Sequence, residues 1–152
     1  MPAHFGAKLR WLRLRDGLTQ ANLAQRIGLA SHSHIAKLEA EQDRPSLELV
    51  VRIAGLFQVT ADYLLRDAIA IVEVQQRHHE SVQGVDPVAL GERIRTLREQ
   101  KGLTQTALAQ QVGGAGQSGI GKIERGEKLP SLERLEQLAD IFAVPIDSLL
   151  LG

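Results

Sequence analysis

The chain has 152 residues, of which 43% are hydrophobic and only 3% aromatic, and it carries 18 basic and 18 acidic side chains and no cysteine. The lack of cysteine excludes disulfides and cysteine-based zinc sites, and no apolar run approaches the roughly 20 residues that a membrane span requires. The N-terminal stretch also lacks the apolar core of a signal peptide. We therefore expect a cytoplasmic protein with no membrane partner and with an aliphatic core, which suits small helical domains.

The balance of charge argues against a protein that binds nucleic acid through its total charge. Residues 1–65 carry 8 basic and 6 acidic side chains, whereas residues 89–152 carry 8 of each. If DNA is bound, the attraction must come from a locally basic face. These counts favour the first half of the chain as the better DNA binder.

Five short helices are predicted in the first 65 residues. The spacing of Leu9 and Leu12 predicts a first helix over residues 6–15, which Gly17 ends. Residues that commonly cap helix N-termini then precede each further apolar pattern. They are Thr19 before a second helix that ends at Gly28, Ser31 before a third from 32 to about 40, and Thr60 before a short fifth helix, ADYLL, while Pro45 and Ser46 open the fourth.

Residues 66–86 follow as a connection between two domains. Their apolar part, AIAIVEV, is β-branched like a strand, yet it follows a helix directly and is equally consistent with an extension of that helix. The run SVQGVDP is typical of a turn and marks the end of the connection.

The remaining residues, 87–152, repeat the first unit at a shift of 85 positions. The stretch GLTQANLAQRIG at 17–28 returns as GLTQTALAQQVG at 102–113, and PSLE occurs at 45–48 and 130–133. The alignment needs no gap, so the second unit is predicted to contain the same five helices. A stacked solenoid needs at least three repeats, and we therefore expect an all-α protein of two separate globules.

The second and third helices of each unit, joined by three or four residues, have the proportions of a helix-turn-helix. With the combination LTQ, LA, KIERG and PSLE, both units resemble the Cro and C1 repressor type of helix-turn-helix domain, the XRE family, over about 120 of the 152 residues. This resemblance implies sequence-specific binding of double-stranded DNA, with the third helix in the major groove and its first residues at base edges.

The resemblance also assigns DNA-binding residues by position. Short polar side chains at the start of the third helix suit hydrogen bonding to base edges, and lysine suits guanine or phosphate. In the first unit the assigned residues are Gln20, Ser31, His32, Ser33, His34, Lys37 and Arg44. In the second unit they are Gln105, Gln117, Ser118, Gly119, Lys122 and Lys128. Ser31 has a second interpretation, as the cap of its helix.

Some repeated residues are better explained by structure than by DNA. Arg10 and Glu39 resemble an ion pair of this family between the first and third helices, with Arg95 and Glu124 as their copies. Both units also have one residue more than the common family pattern before the third helix, which shifts the DNA-facing register by up to one position. Gly119 and Gly121 either let the backbone approach DNA closely or mark a helix that no longer reads sequence.

The sequence thus predicts a transcriptional regulator, a repressor in preference to an activator, without cofactor or metal and without catalytic activity, since no catalytic arrangement is recognisable. Because SHSHIAK and GQSGIGK differ, either one chain binds an asymmetric site, or two chains form a homodimer in which the first units read a palindrome. The alternative class is a protein-interaction module, such as an antitoxin or a polymerase-binding adaptor, with the same fold.

Overall fold

The computed structural model describes residues 4–66, 84–113 and 117–151, and within these ranges all regular structure is α-helix. The first unit contains α1 (Phe5–Arg15), α2 (Gln20–Arg26), α3 (His32–Glu39), α4 (Leu47–Phe57) and α5 (Ala61–Leu65). The second contains α6 (Pro87–Gln100), α7 (Gln105–Gln111), α8 (Gln117–Glu124), α9 (Leu132–Phe142) and α10 (Ile146–Leu150). The predicted all-α class is confirmed.

Two compact units divide the chain, one from Met1 to Gly84 and one from Val85 to Gly152. The predicted connection 66–86 lies mostly at 67–83, outside the described residues, and so do both interpretations of AIAIVEV. No described helix is long and apolar enough to cross a membrane.

Local hydrogen bonds set the helix starts of the first unit, as the sequence predicts. The hydroxyl of Thr19 accepts from the N–H of Asn22, and that of Thr60 accepts from the N–H of Tyr63. Each satisfies one of the four N–H groups that a helix start leaves without an intrahelical partner. Ser31 caps α3 in the same way, so the three predicted caps are confirmed, and the structure shows that Ser46 also caps α4.

Apolar side chains from all five helices, most of them aliphatic, fill the core of the first unit. The fully buried members at its centre are Phe5, Leu9, Leu12, Leu23, Ile35, Leu38, Ile53 and Leu64. Each such side chain contributes roughly 1.5–3 kcal/mol by leaving water. The second unit repeats the arrangement with Ile94, Leu108, Ile120, Ile123, Leu138 and Leu149.

A glycine in the first helix of each unit allows that helix to touch the end of the third. A methyl group at Gly6 would lie 2.5 Å from the carbonyl oxygen of Leu38 and 2.7 Å from that of Glu39. Gly91 stands against the carbonyl oxygens of Ile123 and Glu124 in the same way. Only glycine permits this distance between backbones, and it brings α1 within reach of the helix that the sequence assigns to DNA.

A cationic side chain binds the end of the last helix in each unit, buried in the first unit and partly exposed in the second. Nζ of Lys8, which is 1% exposed, donates to the carbonyl oxygens of Tyr63 at 2.6 Å and Arg66 at 2.7 Å. It also lies 5.0 Å from the centre of the Tyr63 ring. In the second unit Arg93 donates to the carbonyls of Leu149 and Leu150. A positive charge there satisfies terminal carbonyls and complements the helix dipole.

Candidate nucleic-acid interface

We call α3 and its counterpart α8 the reader helices. On α3, Ile35 and Leu38 are fully buried, whereas His32, Ser33 and Lys37 are exposed. The spacing of the two apolar residues anchors one face of the helix in the core. The polar residues at the beginning of the helix therefore face solvent, as a base-reading role requires.

Hydrogen bonds from Ser31 organise the start of α3. Its Oγ accepts from the N–H of Ser33 at 3.2 Å and lies 2.8 Å from Oγ of Ser33. Its interpretation as a cap is confirmed, and its contact with DNA stays a prediction. The linked hydroxyl groups hold the Ser33 side chain in one direction before any ligand arrives.

A shallow depression beside this helix start includes an acidic group that the sequence assignment did not contain. Ser31, Ser33, His34, Lys37 and Asp43 line it. Nε2 of His34 lies 3.9 Å from Oδ2 of Asp43 and has no hydrogen-bond partner. His34 is thus turned partly towards the loop that follows α3 and carries Asp43.

An arginine–glutamate pair, here called the clamp, holds the far end of each reader helix. Nε of Arg13 donates to Oε1 of Glu39 at 2.5 Å, and its Nη2 donates to Oε2 at 3.0 Å. The side chains are 10% and 6% exposed. The hydrogen bond to Glu39 raises the pKa of Arg13 above its ordinary value, so the arginine stays charged.

The predicted partner of Glu39, Arg10, is wrong. Arg10 lies on the exposed side of α1, and Arg13, one helical turn further along, points at α3. The same correction applies to the copy, where Arg98 pairs with Glu124 and Arg95 instead bonds Glu99 within its own helix. The side of α1 that faces α3 is set by the Gly6 contact, which the spacing of the arginines does not reveal.

Gln20 and its copy Gln105, both assigned to DNA, are joined to the clamp. Nε2 of Gln20 donates to Oε2 of Glu39 at 3.0 Å, and Nε2 of Gln105 donates to Oε2 of Glu124 at 2.9 Å. Each amide still has a carbonyl oxygen and a second N–H for another partner. Their contact with DNA remains a prediction, and the structure adds a link from that position to the reader helix.

The remaining assigned residues are exposed wherever the structure describes their side chains. Arg44 is exposed in the loop after α3, and Ser118, Lys122 and Lys128 are exposed in the second unit. The side chain of Gln117 lies outside the described part of the structure. Among the described residues no three histidine or acidic side chains come together as a candidate metal site.

Gly121 of the second reader helix has side chains next to it. A methyl group there would lie 3.1 Å from Nη1 of Arg125 and 3.5 Å from Oε1 of Gln105. The space that the missing side chain leaves is therefore occupied by an arginine and a glutamine. Arg125 is not among the residues assigned to DNA, although its position directly after the reader helix was a usable signal.

Comparison with known proteins agrees with this geometry. One helix-turn-helix family model matches residues 9–64 and a second helix-turn-helix domain model matches residues 89–150. The uncharacterized HTH-type transcriptional regulator YazB of Bacillus subtilis is 41% identical over 59 residues, which are 39% of this chain and 84% of that protein. The chain belongs to the XRE-type helix-turn-helix family of DNA-binding transcriptional regulators.

Another member of this family, the uncharacterized HTH-type regulator YobD of B. subtilis, is 41% identical over 58 residues. The match covers 38% of this chain and 51% of YobD, so the chain spans about half the length of that relative. Each curated match is about one unit long, whereas the chain carries two.

Solved structures of the family also match one unit. The P22 c2 repressor, in complex with a synthetic operator, is 36% identical with a TM-score of 0.40, over 41% of this chain and 94% of that one. The restriction-modification controller protein C.AhdI from Aeromonas hydrophila is 38% identical with a TM-score of 0.40, over 42% and 96%.

Proposed function

We propose that the chain is a sequence-specific transcriptional regulator that inserts α3, α8 or both into the major groove of double-stranded DNA. The observation that carries this proposal is the exposed polar start of α3, where Ser33 is oriented by Ser31 while Ile35 is fixed in the core. A reader that is rigid before binding loses little side-chain entropy on forming base contacts. We further propose repression, because a bound protein blocks overlapping DNA without any further contact.

The two reader helices do not offer the same groups. His34 of the first unit corresponds to Gly119 of the second, and Ala36 corresponds to Gly121. One chain is therefore expected to prefer an asymmetric site. A homodimer that reads a palindrome through the first units alone is the other arrangement, and a measured molecular mass in solution separates the two.

Selection of bound duplexes from random DNA with the full chain tests the proposal. A common motif should emerge, and its affinity should fall steeply with salt. Ser33→Ala should relax the preference at one base pair, by about 1–3 kcal/mol, with unchanged thermal stability. Ser118→Ala is the matched change in the second unit. Failure to enrich any motif, with binding to a protein partner instead, would overturn the proposal in favour of an interaction module.

A further inference from the structure

The net charge beside the two reader helices differs, although the helices occupy equivalent positions in their units. In the first unit the charged residues from the middle of α3 through the following loop are Lys37, Glu39, Glu41, Asp43 and Arg44. Arg13 neutralises Glu39 in the clamp. Two cations and two anions remain, so this stretch has no net charge.

The equivalent stretch of the second unit is basic. Its charged residues are Lys122, Glu124, Arg125, Glu127 and Lys128. Arg98 neutralises Glu124 in the second clamp. Three cations and one anion remain, which is an excess of two positive charges. Counted over whole units, the first unit is the more basic. Counted only beside the reader helices, the second unit is the more basic, which is the opposite order.

A single position contributes most to this difference. Asp43 and Lys128 are equivalent at the shift of 85 residues. Asp43 lines the depression next to Ser33 and Lys37, which places a negative charge beside the side chains assigned to base reading. Lys128 is exposed and, within the described ranges, forms no ion pair. Phosphate would be repelled at the first position and attracted at the second.

By contrast, the first reader helix offers more hydrogen-bonding groups for base edges than the second does. The first reader helix presents His32, Ser33 and His34 at its start, all of them hydrogen-bonding groups. The second keeps hydrogen-bonding residues, Gln117 and Ser118, at the first two positions but has glycine in place of His34, and next to Gly121 it has the guanidinium group of Arg125. Base edges are distinguished by hydrogen bonds, whereas phosphates are bound by charge.

We infer that the two units divide the work of binding. The second unit attaches to phosphates of any sequence through Lys122 and Lys128, since Arg125 is paired with Glu127 at 2.6 Å, and the first unit supplies the specificity. This inference rests on the proposed function. Because the first unit gains little from phosphate attraction, it binds only where α3 meets matching base edges. Covalent linkage to the second unit supplies the high local DNA concentration that such a weakly attracted reader needs.

Reversing the charge at either of the two equivalent positions, Asp43 and Lys128, in the full chain tests this division. Affinities of Lys128→Asp and Asp43→Lys are measured over a salt series, for the selected duplex and for an unrelated duplex of equal length. Lys128→Asp should weaken binding to both duplexes by a similar factor and lower the salt slope by about one. Asp43→Lys should strengthen binding to both and reduce the ratio between them.

Substitutions at the starts of the two reader helices test which unit supplies the specificity. Ser33→Ala should lower the ratio of selected to unrelated affinity, whereas Ser118→Ala should leave that ratio unchanged. The division is overturned if Lys128→Asp affects only the selected duplex or neither duplex, or if Ser118→Ala lowers the ratio as much as Ser33→Ala. Lys128→Gln, a milder change at an exposed position, repeats the test should the aspartate variant fold poorly.

The same data separate two kinds of failure. If the unaltered chain binds neither duplex, the proposed function itself fails. If it binds the selected duplex more tightly, with the expected salt dependence, but the exchanged charges change nothing, only the division between the units fails.

Discussion

Arg13 and Glu39 lie 26 positions apart in the chain, yet they form a two-point ion pair that joins α1 to the end of the reader helix. Arg13 also donates to the carbonyl oxygen of Leu18 in the turn before α2, at 2.9 Å. One guanidinium group therefore ties together three elements of the helix-turn-helix unit. Arg98 repeats both interactions in the second unit, with Glu124 and with the carbonyl oxygen of Leu103.

Glu39→Gln should destabilise the first unit by about 3 kcal/mol, because it leaves the largely buried charge of Arg13 without its counter-ion. Trp11 is the only tryptophan and lies in α1, so its fluorescence during urea unfolding follows the first unit. Glu41→Gln, an exposed change two residues away, is the control and should cost less than about 0.5 kcal/mol. Equal effects of the two changes would contradict a stabilising role for the clamp.

Gly6→Ala should cost about 3 kcal/mol and displace the reader helix, because the added methyl group meets carbonyl oxygens of the backbone that cannot rotate away. Gly17→Ala is the matched control. Gly17 has a φ of +67° and no neighbour within 4 Å of the added group, so only backbone strain of about 1 kcal/mol applies. Urea unfolding gives both values, and similar costs would argue against close contact between α1 and α3.

Lys8→Met should lower stability by about 1–3 kcal/mol, since it removes the buried donor from the carbonyls of Tyr63 and Arg66 at nearly constant volume. Lys8→Arg should restore most of the loss, because Arg93 serves the same carbonyl positions in the second unit. Thermal unfolding checks both variants. If the arginine variant is no better than the methionine variant, hydrogen bonding is not the source of the stabilisation.

Ser31→Ala and Ser33→Ala should separate capping from DNA reading. Loss of the cap at Ser31 should cost about 1 kcal/mol of stability. Ser33→Ala removes an exposed hydroxyl and leaves the cap acceptor in place, so its stability should stay within about 0.5 kcal/mol while DNA selectivity falls. Melting curves and binding to the selected duplex, measured on the same samples, give the comparison. A larger stability loss at Ser33 than at Ser31 would reverse the assignment.

The helices and their caps were predictable because their causes are local. Thr19 and Thr60 each bond an N–H three residues ahead, and apolar spacing within one turn identifies the buried face. The partner of Glu39 was not predictable in the same way. Arg10 and Arg13 are both arginines on α1 that recur at the shift of 85, and the choice between them depends on how α1 is rotated against α3.

The candidate site, too, was only partly predictable from the sequence. Polar residues at the start of the third helix were recognisable from the pattern of the family, since that pattern marks the helix and its first turn. The position of Asp43 beside Ser33 was not, because a loop residue ten positions away reaches the helix start only through the path of the folded chain. Counts of charge along the sequence favoured the first unit, whereas the charges beside the reader helices, on which our inference rests, favour the second.

By itself the sequence determined that two copies of one five-helix unit exist, where their helices begin, and which of their residues are apolar. These properties depend on interactions between residues within about four positions of one another, and such interactions can be traced in the order of the residues. Only the tertiary structure decided which arginine joins Glu39 and which charges lie beside each reader helix. Those contacts connect residues that are distant in the chain. They depend on the close packing of helices at Gly6 and Gly91, which fixes the side chains that face each other.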